Sequence, residues 1–518
     1  MTDIKREILE LAIQFVKKHK RYPSFPECQS IGVSRKTIDY HYGNMTNFRK
    51  AVSEKTTAII CDLEQHEIAT APSKKIKRFV ITTVVPGAEI HEGFYKNIKA
   101  YCKDFDAELL VLLSLGHNRD SLIVPPILKN DVFIMSDTNL NSNVFILGLK
   151  NTAAKVDPIT GLPRIGQRNG TFICASPKQR LKYIATGPSK LPHALMSTGA
   201  LTYPNYIKST KLVEKSAYVA DNDHVMGAVI LELDENEMFH FRQVQCTKDG
   251  SFVDLGTYYV GGKKRTLAPE AFVLGDWHSG ETCPITANTW YDISKKLKVK
   301  QWIIHDGFSG SSVNHHNTEK IITLTKQADE GKLNLNKELS GYAADIIEML
   351  SKIPKVVIVK SNHDEFLERY LEEARYVHHP YNHRMAIKLA GAFLDGHNPV
   401  EYFVHEIVKV PRKNIKWLQR DEDYQIAGIQ LGSHGDKGAN GSRGSINALE
   451  NAHGNVVYGH SHTPEIQRGA FCVGTSTPPK PDYGTGPSSW MNASCLVYEN
   501  GQRQMINSIN GKWTTRKF

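Results

Sequence analysis

The sequence has no Cys-x-x-Cys pair and no dense cysteine framework; its eight cysteines stand singly. That spacing excludes a disulfide-stapled secreted scaffold and predicts reduced, packed thiols in a cytoplasmic protein. No apolar run approaches the roughly 20 residues of a membrane-spanning helix, so no membrane partner is expected. Met1 to Lys20 mixes charges along an amphipathic pattern and lacks the apolar centre of a signal peptide. Internal repeats and low-complexity tracts are also missing, which removes repeat arrays and disordered scaffolds from consideration. The surplus of positive charge is modest, at +10; it permits a polyanionic partner without demanding one. What is there is 518 residues of 40% hydrophobic content, enough for several cores and for more than one domain.

Residues 1–68 read as a separate helical unit. Ile4, Ile8, Leu11, Ala12, Phe15 and Val16 recur at the 3.6 period of an amphipathic helix, which Tyr22-Pro23 and Phe25-Pro26 interrupt. Glu27 to Ile31, the turn Gly32-Val33-Ser34, and Arg35 to Tyr42 then spell a helix, a tight turn and a second helix, with Ser34 as the expected N-cap. The pattern resembles the helix-turn-helix of transcription regulators. That resemblance places Arg35, Lys36, Thr37, Tyr40 and His41 on a recognition helix, as nucleic-acid-binding residues. A small bundle for homo-oligomer contacts is the other reading. A helix from about Thr46 to His66 completes the unit. Residues 69–78, with Lys74, Lys75, Lys77 and Arg78, form a basic linker that either touches phosphates or is simply solvated.

Residues 79–265 carry an α/β pattern followed by a β-meander. Phe79 to Val85 predicts a strand, Glu92 to Phe105 an amphipathic helix and Leu109 to Leu113 a second strand, with further apolar runs at Val132 to Met135 and Val144 to Leu147. Pro86-Gly87 could open a nucleotide loop, but no Gly-Lys-Ser/Thr or Gly-x-Gly-x-x-Gly follows, so both nucleotide fingerprints are rejected. His224 to Asp234, Met238 to Cys246 and Ser251 to Val260 read as three strands of a meander. Lys178, Arg180 and Lys182 read as a solvated basic face. This region fixes no function.

In residues 266–518 five short apolar runs each stop at metal-ligand chemistry. They end in Asp276-Trp277-His278, in His305-Asp306-Gly307, in Ser361-Asn362-His363-Asp364, in Gly432-Ser433-His434 and in Gly459-His460-Ser461-His462. Open α/β sheets place their sites where strands end. Two histidines at i, i+2 of an extended segment project from one side and can reach adjacent ions. Carboxylate, amide and imidazole donors without sulfur favour Mn, Fe or Zn ions. Helices at Asn288 to Leu297 and Lys337 to Leu350 give βαβ units. Phe366 to Tyr376 reads as a charged helix, and Pro478 to Pro487 as a lip over the site.

The ordered five-block pattern, over about residues 270 to 500, resembles the calcineurin-like metallophosphoesterase superfamily. The resemblance implies a layered β-sandwich flanked by helices and a site for two divalent ions, Mn first, with Mg, Fe or Zn as alternatives. Carried over position by position, Asp276, His278, Asp306 and His462 hold one ion; Asp306, Asn362, His434 and His460 hold the other. Such a pair clamps the oxygens of a phosphoryl centre and lowers the pKa of water. The same resemblance gives His363 a catalytic role on the phosphoryl oxygens or the leaving group, with Asp364 orienting its ring. Three positions depart from the pattern: His305 and Ser361 stand where glycines are usual, and Ser309 where a second Asp is usual. His315 and His316 are either extra ligands or part of a polar loop.

Three readings of the whole chain follow. The first is a DNase similar to SbcD-type recombination nucleases, with the N-terminal unit on DNA; the layout also resembles a coliphage pre-early DNase, which would place it in the host cytoplasm. The second is a phosphatase or phosphodiesterase for nucleotides or phosphoproteins, with the N-terminal unit as an oligomerisation bundle. The third is a DNA-binding regulator with an inactive phosphoesterase domain.

Overall fold

The computed structural model describes residues 3–19, 25–45, 47–48, 51–52, 76–115, 124–187, 190–206, 211–315, 320–420, 422–480 and 486–518. Most of the expected helix from Thr46 to His66, residues 69–75 of the linker, His316 and the centre of the Pro478–Pro487 lip lie outside these. The architecture is mixed α/β, with several mixed sheets. No helix among the described residues is long and apolar enough to cross a membrane. Cys28, Cys102, Cys174, Cys246, Cys283, Cys472 and Cys495 are free thiols. The chain divides into two compact units. One comprises Met1–Arg180, Ala194–Val253 and Tyr258–Arg265; the other comprises Leu181–His193, Asp254–Thr257 and Thr266–Phe518.

In the first unit the N-terminal helices run Asp3–His19, Phe25–Ser30 and Arg35–Tyr42. They close on Ile8, Ala12, Cys28, Val33, Ile38 and Phe48; Ile8 and Ala12 belong to the 3.6-period stripe of the first helix, whereas Ile4 on that stripe is exposed. Ser34 caps the third helix by accepting the Thr37 N–H at 3.2 Å, and Gly32 takes a φ of 86° in the turn before it. Further along, a five-stranded sheet runs in the order Phe239–Gln245, Gly227–Leu233, Lys77–Val84, Ala107–Leu113, Val132–Ile134. Its last three strands are parallel and the first two pair antiparallel. The helix Glu92–Phe105 joins two of the parallel strands and buries Phe94, Ile98 and Tyr101 against Val80, Leu109, Phe252 and Tyr259.

Two expectations for this region need correction. Ser251 to Val260 is not one strand but two, Phe252–Asp254 and Thr257–Val260, because Leu255 and Gly256 both take positive φ (46° and 73°) and reverse the chain. Nor do Lys178 and Arg180 lie on a solvated face. Both are buried; Lys178 Nζ donates to the Lys155 carbonyl at 2.6 Å, and Arg180 Nε lies 3.6 Å from Asp157 Oδ1, which gives each charge a partner away from water.

The second unit holds a six-stranded sheet in the order Ile415–Trp417, Val356–Ile358, Trp302–Ile304, Ala271–Val273, Ala493–Val497, Arg503–Asn507. The first four strands are mutually parallel and the last two run antiparallel. Helices Pro284–Leu297 and Leu335–Lys352 make the crossovers; Pro284 starts the first, and Asn334 caps the second by accepting the Lys337 N–H. A further sheet carries Gln425–Ile426, Ile429–Gln430, Val456–Tyr458, Ala470–Cys472 and Glu465–Gln467 in that order. The central strands are fully buried, three-residue apolar runs, as parallel sheets covered on both faces require.

Candidate metal centre

Parallel pairing puts the C-terminal ends of Ala271–Val273 and Trp302–Ile304 on one edge, and the chain keeps the two segments in register beyond the strands. Trp277 N–H donates to the His305 carbonyl at 3.0 Å and His278 N–H to the Asp306 carbonyl at 2.7 Å. Asn362 arrives on the first turn of the helix Asn362–Glu372, directly after Val356–Ile358. His434 follows Ile429–Gln430, and Gly459 N–H donates to its carbonyl at 2.9 Å. Four residues in these turns, His278, Asp306, His460 and His462, have φ between 45° and 75°. Non-glycine residues pay a conformational cost there, and such residues gather where the surroundings over-determine a functional geometry.

The turns bring the ligand atoms together in two groups. Atoms of Asp276, His278, Asp306 and His462 lie within 4.8 Å of one another, as do those of Asp306, His434 and His460. Nε2 of His278 and Nε2 of His462 approach to 3.1 Å, and Asp276 Oδ2 is 3.1 Å from His462 Nε2. Asp306 Oδ2 lies 3.6 Å from His278 Nε2 and 3.3 Å from His434 Nε2, so one oxygen faces both groups. Asn362 Oδ1 joins the second group, 3.1 Å from His434 Nε2.

The donor set fits divalent cations. Asp276 Oδ1 and Asp306 Oδ1 are buried without a hydrogen-bond partner, a costly state for a carboxylate that an ion would relieve. Burial pushes His278 down to about 3, which keeps its imidazole neutral with a lone pair to donate. Burial acts the same way on His434, but the Asp306 and Asp276 carboxylates overcome it and raise the ring to about 9. A proton is thus drawn to the place where carboxylates and imidazoles converge, and a metal ion competes for that place. Oxygen and nitrogen donors without thiolate leave the identity of the metal open among Mn, Mg, Fe and Zn.

The three departures from the pattern each have a structural partner. His305 is buried, stacked on His434 at a centroid distance of 5.6 Å, with the two Nδ1 atoms 3.5 Å apart. Ser361 caps the helix Asn362–Glu372 in a capping box whose other half is Asp364. Ser309 presents its carbonyl to His363 Nδ1. The expectation that Asp364 orients the His363 ring is therefore corrected. Asp364 Oδ2 accepts the Ser361 N–H at 2.8 Å, burial lifts its carboxyl to about 6, and the Ser309 carbonyl fixes the tautomer of His363. His363 itself packs against His278, ring centroids 4.7 Å apart. His315 is not drawn into either ligand group; its Nε2 lies 3.1 Å from Arg369.

On the helix Arg35–Tyr42 of the first unit, Arg35, Lys36 and Tyr40 are exposed and Thr37 and His41 half-buried, with Arg35 3.5 Å from Asp39. Residues that the sequence did not single out also shape the centre. Glu338 accepts from the Ser311 and Ser312 amides and Glu281 from the Ser311 hydroxyl, which holds the Ser309 loop. Trp490 packs edge-on against His462 at 4.2 Å. None had a sequence signal, because each acts through a contact distant in the chain.

No protein-family model matches the chain, and no solved structure matches it. The chain is similar to "Protein A1" of Escherichia phage T5, 28% identical over 491 residues that cover 87% of this chain and 84% of that protein.

Proposed function

We propose that the chain is a metal-dependent phosphoesterase of the calcineurin-like kind, with the layered sandwich of that superfamily, and that its substrate is DNA. The observation that carries this is the pair of ligand groups sharing Asp306 Oδ2, with His363 beside them. Asp276, His278, Asp306 and His462 would hold one divalent ion, and Asp306, Asn362, His434 and His460 a second. Such ions, when bound, supply positive charge to the phosphoryl oxygens and lower the pKa of water. The chain's own work lies in positioning. Nδ1 of His363 donates to the Ser309 carbonyl, so Nε2 is the ring atom free to carry a proton to the leaving oxygen. The N-terminus of the helix Asn362–Glu372 adds its dipole at the same place.

DNA is favoured over a small phosphoester by the exposed Arg35, Lys36 and Tyr40 on a capped helix after a glycine turn. The net charge of +10 agrees with a polyanionic partner, and the likeness to a phage protein agrees with work in the host cytoplasm. The test is incubation of the full chain with supercoiled plasmid and, separately, with 5′-nucleotides. Plasmid cleavage is expected with Mn²⁺, none after chelation, and recovery on adding Mn²⁺ back. Undiminished hydrolysis in chelator sinks the metal assignment. Turnover of 5′-nucleotides with intact plasmid selects the phosphatase reading and its oligomerisation bundle instead.

A further inference from the structure

Within the second unit, behind the loop that holds His363, lies a cavity of about 480 Å³, inside the range of about 300–1,000 Å³ common for small-ligand sites. Ser311, Ser312, Asn314, Arg375, His379 and Tyr381 contribute to its wall. Three rings form a ladder there. Tyr370 stacks on His379 at 5.6 Å and 14°, and His379 on Tyr381 at 5.7 Å and 19°. Tyr370 is fully buried while Tyr381 is 54% exposed, so the ladder starts in the core and ends on an open ring. Arg375 lies over Tyr370 at 5.4 Å and keeps Nη2 buried without a hydrogen-bond partner, while its Nε sits 3.2 Å from Glu373. Arg369 lies nearby along the same segment, bonded to His315, which meets Phe366 at 5.1 Å.

The cavity is mechanically continuous with the metal centre. The Ser311 hydroxyl meets the Ser309 hydroxyl at 2.8 Å, and the Ser309 carbonyl holds His363. Phe366 touches His363 on one side (4.7 Å between centroids) and His315 on the other. A flat open ring backed by a rigid stack is a platform for a nucleobase, and the Arg375 guanidinium in the cavity wall offers its positive charge to a phosphate. A phosphoprotein would use the second and has no need of the first.

We propose that this cavity binds an unstacked nucleotide flanking the scissile phosphate of a polynucleotide, its base on Tyr381 and its phosphate on Arg375. A base still stacked in a duplex cannot present its face to Tyr381, so single strands enter directly and a duplex has to open locally first. The proposal rests on the phosphoesterase reading above.

The test compares the full-length wild type with Tyr381→Leu and Arg375→Gln on two substrates with Mn²⁺, an oligothymidylate and bis-p-nitrophenyl phosphate. The Tyr381→Leu ratio of kcat/KM, oligonucleotide over small diester, should fall about 5- to 150-fold, the weight of one base–aromatic stack. Arg375→Gln should raise the oligonucleotide KM and flatten its salt dependence by roughly one counterion's worth. A ratio unchanged in both variants overturns the proposal, whether the two substrates fall together or neither falls. Arg375 is partly buried, so thermal melts check its variant; if that variant unfolds, the exposed Tyr381 decides alone. Should the wild type turn over neither substrate, the hydrolytic reading has failed on its own. Fluorescence anisotropy of labelled oligothymidylate in chelator then decides the cavity: weaker binding by Tyr381→Leu supports it and equal Kd values overturn it.

Discussion

His460 offers its ring to the Asp306–His434 group and its backbone N–H to Asp276 Oδ2 at 2.8 Å, so a side-chain change there leaves the peptide contact and removes one imidazole. His460→Ala should therefore lose one equivalent of metal and most activity, by the two-metal argument. Metal analysis after dialysis reads this directly, and two retained equivalents would mean the ligand set is wrong. His363 belongs to neither group and is held by a carbonyl. His363→Ala should keep its metal content and lose about 10²–10⁴-fold in rate, most for substrates with poor leaving groups. An equal loss for good and poor leaving groups would leave His363 only a charge-stabilising part.

At the level of elements, the site depends on how strand ends nest. A Cβ at Gly459 would stand 2.2 Å from Asp276 Oδ1 and 3.0 Å from His305 Cβ. Gly459→Ala must then push Asp276 out of its group, or tear the turn away from it. Overpacking of this kind costs about 1–3 kcal/mol in stability, readable in urea denaturation. The loss of metal affinity should be the larger effect, at least tenfold by calorimetry, since disturbing even the groups that hydrogen-bond to a metal ligand typically costs about 10–100-fold. Wild-type affinity in this variant would show that the turn is looser than the contacts indicate. Arg503 supports the same region, donating to the Gly469 carbonyl at 2.6 Å from within the core and lying over Phe471 at 4.2 Å.

For the whole molecule, the question is what the N-terminal helices contribute to a site more than two hundred residues downstream in the sequence. If Arg35 and Lys36 meet phosphates, each such pairing releases counterions and makes binding salt-dependent. Deleting residues 1–70 should weaken duplex DNA binding and reduce the slope of log affinity against log salt by about 0.9 for each phosphate no longer neutralised. Hydrolysis of bis-p-nitrophenyl phosphate should persist, since it needs only the metal centre. A bundle serving oligomerisation predicts instead a smaller particle in light scattering, with both activities falling together. Unchanged affinity and slope would remove the helix-turn-helix from the account.

The sequence by itself determined where the site's side chains stand along the chain. Apolar runs ending in Asp276, Asp306, His434 and His460 are local signals, as are the Ser34 cap and the Gly32 turn, because strand termination and capping are decided by residues a few positions apart. That these turns converge, and that one oxygen of Asp306 faces both ligand groups, only the tertiary structure decided, through parallel pairing of strands. The same holds for the partners of single side chains. The resemblance gave His363 an orienting carboxylate in Asp364; the fold gave it the carbonyl of Ser309, 54 residues away, and set Asp364 to cap a helix. A backbone carbonyl belongs to every residue, so no residue type marks the one that will serve. Nor could composition distinguish Lys178, buried on the Lys155 carbonyl, from a solvated lysine, or order Tyr370, His379 and Tyr381 into a stack. Burial and ring stacking depend on which distant segments pack together, and that information is spread over the whole chain.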